Sequence, residues 1–158
     1  MPGGFNAIAD IVARRATVDQ MLAAMPAPEN PGVGIEDRMV PGPEYAPKVR
    51  VRIYRPDGVS GTLPCVYYIH GGGMILGTVE GEEGSAMRIC HEVGAVVVSV
   101  DYRLAPENPH PAPVEDCYAG LVWTAANVEE LDVDPGRIAI YGGSAGGGPS
   151  HRDRAPGP

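Results

Sequence analysis

Gly142-Gly143-Ser144-Ala145-Gly146 sets a serine hydroxyl among small residues, directly after the apolar run Arg137-Ile138-Ala139-Ile140-Tyr141. G-x-S-x-G following a strand is the setting of a nucleophile elbow. Small flanking residues allow a very tight strand-to-helix turn, which forces the serine into an unusual backbone angle and exposes its hydroxyl. A serine is a weak nucleophile until a base takes its proton, so the elbow is one third of the machinery of covalent catalysis. Glycine-rich turns after strands also bind phosphates, but neither such loop here satisfies G-x-G-x-x-G or ends in Gly-Lys-Ser/Thr. A plain glycine-rich linker is the other reading of the motif taken alone.

A second stretch, His70-Gly71-Gly72-Gly73, follows the apolar run ending at Ile69. Acyl transfer passes through a tetrahedral oxyanion that needs amide donors aimed at one point. Successive glycines let the backbone turn its N–H groups inward without Cβ obstruction, and the amide of Ala145, after the serine, adds another. His70 reads as a residue bracing this loop, together with Gly71, because a general base must approach the serine from elsewhere. The third stretch is Asp101-Tyr102-Arg103-Leu104-Ala105-Pro106-Glu107, followed by Pro109 and Pro111. Asp101, Arg103 and Glu107 are expected to form an internal ion-pair brace in a rigid, proline-punctuated loop, as scaffolding and not as reacting groups.

The elements that position these loops are legible in the hydrophobic pattern. Leu63 to Ile69, Ala95 to Val100 and Arg137 to Tyr141 are short apolar runs of the kind found in parallel strands covered on both faces. Helical patterns lie between them, at Glu82 to Val93 and at Pro113 to Leu131. In the second, Val114, Cys117, Tyr118, Leu121, Val122, Ala125 and Leu131 are expected to share a face. Alternating strands and helices predict an α/β domain with right-handed crossovers. Upstream, Gly34 to Val40 and Lys48 to Tyr54 predict an antiparallel pair at a sheet edge, with Val49, Val51 and Ile53 on one face and arginines on the other. Asp10 to Met25 has helical spacing, stopped by Pro26, Pro28 and Pro31. The loops leave the carboxyl ends of their strands, the edge at which open α/β sheets bind ligands.

The ordered combination of HGGG, DYRLAPE with trailing prolines, and G-x-S-A-G-G resembles the hormone-sensitive-lipase-like family of α/β-hydrolases, many of them bacterial esterases, from about Pro31 to Gly147. The resemblance implies an α/β-hydrolase fold, present here up to the nucleophile-elbow strand, with a helical cap around Asp10 to Met25. It also implies hydrolysis of small acyl esters with no metal and no organic cofactor. By position, Ser144 would be the nucleophile, with Gly72, Gly73 and Ala145 as oxyanion donors.

The chain departs from the family at two points. The family usually has Asp before the nucleophile where this chain has Gly143. The family's acid and His also follow the elbow, whereas here only His151 and Asp153 do, in a tail without Leu, Ile, Val, Met or aromatic residues. On a continued helix His151 would lie about 10 Å from the serine, beyond the ~3 Å reach of a general base. The expectation is a family esterase or lipase whose present chain is an inactive truncated copy. A receptor-like small-molecule-binding module and one half of a split hydrolase are the alternatives. The expected organisation is a cap-like segment at 1–30, a partial hydrolase domain at 31–148 and a disordered tail at 149–158. The uncovered strand Arg137 to Tyr141 is expected to invite self-association through its open edge.

Composition agrees with that class. An apolar fraction of 44% suits a globular chain. A net charge of −8 repels nucleic acid and anionic membrane surfaces. No apolar run has the length of a membrane span and no secretory signal is visible, so the expected location is cytoplasmic. Cys65, Cys90 and Cys117 are too widely spaced for a zinc site and read as buried thiols.

Overall fold

The computed structural model describes residues 10–148. The expected tail at 149–158, including His151 and Asp153, lies outside the described residues, as do residues 1–9. The chain builds α1 (Ile11–Ala24), β1 (Val33–Val40), β2 (Val49–Pro56), β3 (Leu63–Ile69), α2 (Glu83–Val93), β4 (Val96–Asp101), α3 (Ala112–Ala126) and β5 (Val133–Gly142), then a single 3-10 turn at Ser144–Gly146. The strands form one sheet in the order β1-β2-β4-β3-β5. β1 and β2 pair antiparallel, β2 meets β4 antiparallel, and β3 lies parallel to β4 and to β5.

The order of connection decides where a site can form. From β3 the chain crosses through α2 to β4 on one side, then returns through α3 to β5 on the other side of β3. That reversal is a topological switch point, and the loops leaving the carboxyl ends of β3 and β5 open a crevice there.

Alternation along the strands splits the core in two. Tyr67, Ile69, Val96, Val98 and Val100 join Val49, Val51, Ile53 and Cys117 of α3 on one face. Tyr54, Tyr68 and Val97 pack with Ala86, Met87 and Cys90 of α2 on the other. The arginines of β2 do lie opposite its valines, and they are paired across the sheet. Arg52 meets its register partner Asp37 at 2.7 Å and Glu83 of α2 at 2.8 Å. Arg50 meets its register partner Asp101 at 2.9 Å and Glu80 at 2.8 Å. The three cysteines are buried thiols outside any disulfide, and desolvation pushes Cys65 up to about 12 and Cys90 up to about 11.

α3 corrects the sequence reading twice. It ends at Ala126, not near Leu131, because Asn127 turns its own amide nitrogens back on the Trp123 carbonyl, from N at 3.1 Å and from Nδ2 at 2.7 Å. Its sheet-facing residues are Pro113, Asp116, Cys117, Gly120 and Thr124, whereas Tyr118 and Val122 are exposed. The cause is a tyrosine in the sheet: the Tyr67 hydroxyl donates to the Cys117 carbonyl at 2.7 Å, and a Cβ on Gly120 would collide with it. A small and polar stripe therefore faces the sheet where apolar periodicity pointed elsewhere.

α1 is capped by Asp10, whose side chain accepts from the Ala13 amide at 2.8 Å, and it has no buried residue. It is held by Arg15, which donates to the carbonyls of Ile75 at 2.8 Å and Ala105 at 2.6 Å and pairs with Glu107 at 2.7 Å. Among the described residues no helix is long and apolar enough to cross a membrane.

Candidate active site

The two glycine-rich loops emerge side by side, because Ile69 at the end of β3 is the register partner of Gly142 at the end of β5. The Gly143 amide donates to the Ile69 carbonyl at 3.3 Å, and the Gly146 amide closes the turn on the Gly143 carbonyl at 2.8 Å. Ser144, at the apex, has φ of +50°, the left-handed region that a residue with a Cβ enters only at a cost. The flanking glycines are required by space. A Cβ on Gly142 would collide with the Gly146 carbonyl, and one on Gly146 with the Ile69 carbonyl. Gly143 differs, since a Cβ there would meet nothing closer than the Gly71 amide nitrogen at 4.0 Å.

The HGGG loop lies against this turn. A Cβ on Gly71 would sit 3.6 Å from the Ser144 Cβ and 3.1 Å from the Gly143 carbonyl oxygen. Gly72 and Gly73 have φ of +119° and +68°, and the Gly72 carbonyl accepts from the amides of Ile75 at 3.2 Å and Leu76 at 2.9 Å. Among the described residues the Gly72 and Gly73 amides have no acceptor. Gly71, Gly72 and Ser144 line one cleft; Gly73 and Ala145 are chain neighbours of that lining and do not belong to it.

His70 is fully buried beneath the loop, its ring stacked on Tyr102 with centroids 4.1 Å apart. Its Nδ1 lies 2.8 Å from the Gly71 carbonyl oxygen, so Nδ1 carries the proton, and Nε2 has no partner among the described residues. The Tyr102 hydroxyl donates to the His70 carbonyl at 2.9 Å. Burial holds the imidazole below its ordinary pKa and keeps it neutral. With the folded value depressed, the unfolded chain binds the proton more readily. Stability is therefore full above the unfolded value near 6.5 and falls as pH drops through it. We expect thermal melts to show a loss of stability beginning below about pH 6.5. That step should disappear in His70→Asn, leaving only the loss at lower pH as Asp37 and Glu80, held low by their arginines, take up protons.

The charged loop braces the site, but not internally as expected. Arg103 turns to α3 and grips the buried Asp116 with Nε at 2.7 Å, NH2 at 2.7 Å and its own amide at 3.0 Å. Asp101 is taken by Arg50 of β2, and Glu107 by Arg15 of α1. The three charges thus tie the loop outward to three different elements, which motif spacing alone did not reveal.

The cleft over Ser144 has a volume of about 470 Å³. Val18 and Leu22 of α1 form one wall, and Tyr68, Tyr141, Glu82 and Ser85 another. Among its described lining residues there is no histidine, and Glu82 is the sole carboxylate. The sequence reading missed this second wall. Its signal was the two-residue alternation that sends Tyr68 to the face of β3 opposite Tyr67.

Residues 66–152 match the family model described as the alpha/beta hydrolase fold. The chain belongs to that family. Within it, the α/β-hydrolase chain falls in the hormone-sensitive-lipase-like branch. It is 43% identical over 148 residues to the carboxylesterase NlhH of Mycobacterium tuberculosis, matching 92% of this chain and 45% of that protein. It is 42% identical over 139 residues to the carboxylic ester hydrolase LipN of the same organism, 87% of this chain and 36% of that protein. Among solved structures, a bacterial heroin esterase superimposes with a TM-score of 0.83 at 41% identity, over 90% of this chain and 45% of that one. An esterase of Pyrobaculum calidifontis gives 0.80 at 41% identity, over 91% and 47%. This hydrolase chain therefore spans less than half the length of these relatives.

Proposed function

We propose that this chain supplies the nucleophile and the oxyanion cradle of a serine carboxylester hydrolase acting through an acyl-enzyme on small acyl esters. Ser144 attacks the ester carbonyl, and the amides of Gly72, Gly73 and Ala145 stabilise the oxyanion that forms. His70 and Gly71 hold the cradle in place. The observation that carries this reading is the strained Ser144, at φ +50°, packed against a glycine loop with unpaired amides. A nucleotide-binding loop has no need of a hydroxyl held in that conformation. A receptor-like module has none either, and no observation specifically favours it. Residues 1–30 act as the cap, a role supported by the placement of Val18 and Leu22 on the cleft wall.

The proposal includes inactivity of the chain by itself. An ester hydrolase needs a base within hydrogen-bond reach of the serine. The described histidines do not line the cleft, and His70 is turned into the loop beneath it. The acid and the base would come from strands that lie beside β5, whether in the same polypeptide or in a separate one. β5 is the edge of the sheet among the described residues, and it would pair there with such a strand or with a second copy.

The test is hydrolysis of p-nitrophenyl butyrate by the chain alone, by its Ser144→Ala variant, and by a fusion. The fusion joins the chain after Gly147 to the downstream segment of one of the mycobacterial relatives. We expect the chain alone to match the variant, and the fusion to exceed both by at least about a thousand-fold. Ser144-dependent turnover by the chain alone, or a folded fusion without turnover, would overturn the proposal.

A further inference from the structure

The second wall of the cleft carries a chemistry that ester hydrolysis does not require. Tyr68 and Tyr141 present paired rings with centroids 5.1 Å apart and planes inclined at 36°. The Tyr68 hydroxyl donates to Oε2 of Glu82 at 3.0 Å, which fixes the carboxylate beside the rings. Oε1 of Glu82 has no donor among the described residues. Tyr68, Tyr141 and Glu82 all line the cleft that holds Ser144, and no Lys or Arg is among its described lining residues.

One exposed aromatic face beside one carboxylate, with no Lys or Arg among the described lining residues, favours a positive ligand. The quadrupole of the Tyr141 ring attracts an ammonium group over its face, and the carboxylate adds a full opposing charge. A weakly hydrated quaternary ammonium gains most, since it surrenders little solvation on entering. The opposite assignment, an anionic substrate, would bring like charge against Glu82 and against a chain of net charge −8.

We propose that Tyr68, Tyr141 and Glu82 form a subsite for a cationic group, so that the ester class selected by this cleft carries an ammonium or quaternary ammonium substituent. The proposal rests on the cleft being the ester site. Tyr141, 48% exposed, supplies the open ring face; Tyr68, buried in the core, backs that ring and holds the carboxylate, and Glu82 sets the sign of charge. The hydroxyl of Tyr68 serves as the positioning group for Glu82, and burial together with that carboxylate raises its pKa and keeps it a donor.

Binding tests this without turnover. Acetylcholine and its uncharged isostere 3,3-dimethylbutyl acetate are titrated into the Ser144→Ala chain and followed by amide chemical shifts. We expect acetylcholine to bind about ten-fold more tightly, with shifts at Tyr68, Glu82 and Tyr141. Glu82→Gln should cut the preference to about two-fold or less, the remainder coming from the Tyr141 ring. Glu36→Gln makes the same change of net charge on β1, away from the cleft, and should leave the preference intact. Equal affinities for the two probes, or a preference that survives Glu82→Gln, would overturn the subsite. An inactive fusion together with an intact preference would instead overturn the hydrolase reading and leave the cation subsite standing.

Discussion

Ser144→Gly should make the chain more stable by about 1 kcal/mol while removing ester turnover from the completed hydrolase by a factor on the order of 10⁵. Both halves follow from φ of +50° at this residue. A residue with a Cβ held in the left-handed region is strained by about 1–2 kcal/mol, and glycine is not. The strain is tolerated because the turn around it is fixed from outside: Gly143 is tied to Ile69 of β3, and Gly146 is tied back to Gly143. Loss of the hydroxyl leaves the oxyanion cradle in place but nothing to attack the carbonyl, so only background hydrolysis remains. Ser144→Ala separates the two effects. It should lose the same turnover and leave stability within about 0.5 kcal/mol of the parent, because alanine keeps the Cβ and therefore the strain. Denaturant midpoints on all three chains give the stabilities, and nitrophenyl ester rates on the three fusions give the activities. A glycine variant no more stable than the alanine variant would contradict the strained turn.

Gly146→Ala should cost folding stability about 3 kcal/mol or more. The added carbon would collide with the Ile69 carbonyl and lie 2.9 Å from that of His70. Both are backbone atoms at the end of β3, the strand flanked by β4 and β5, and neither can swing aside as a side chain could. Relief would require the elbow to lift from β3, breaking the Gly143–Ile69 bond and separating Ser144 from Gly71. Gly143→Ala is the matched control. Its φ is −79°, and its Cβ would have room. That variant should be neutral or more stable by about 0.5 kcal/mol, through lower entropy of the unfolded chain. The urea midpoint therefore falls in Gly146→Ala and holds or rises in Gly143→Ala, and a comparable fall in both would be inconsistent with the packing described.

The contrast between these glycines shows which parts of the site could be read from the sequence. Serine between glycines after a strand, and a glycine run after a parallel strand, are local patterns with local causes, and the structure places both loops at one switch point. Strand pairing was equally legible, because Val49, Val51 and Ile53 alternate with Arg50 and Arg52 on a single two-residue period. Partners distant in sequence were not. Nothing near Arg103 says that its carboxylate is Asp116, since that pairing depends on how α3 docks. α3 itself was misread because its inward face accommodates the Tyr67 hydroxyl with Gly120 and buries Asp116, so the apolar pattern points away from the true contact. The Tyr68–Tyr141–Glu82 wall was invisible for a similar reason. Its members come from two strands and the start of a helix, and only the fold brings them together.

The most direct measurement is the site of covalent labelling by a diethyl p-nitrophenyl phosphate, read by peptide mass spectrometry on the chain alone and on the fusion. The account predicts a single phosphorylated residue, Ser144, in the fusion, and at most trace labelling of the chain alone, where no described residue offers the hydroxyl a base. Labelling of another residue in the fusion, or equal labelling of Ser144 in both proteins, would contradict it.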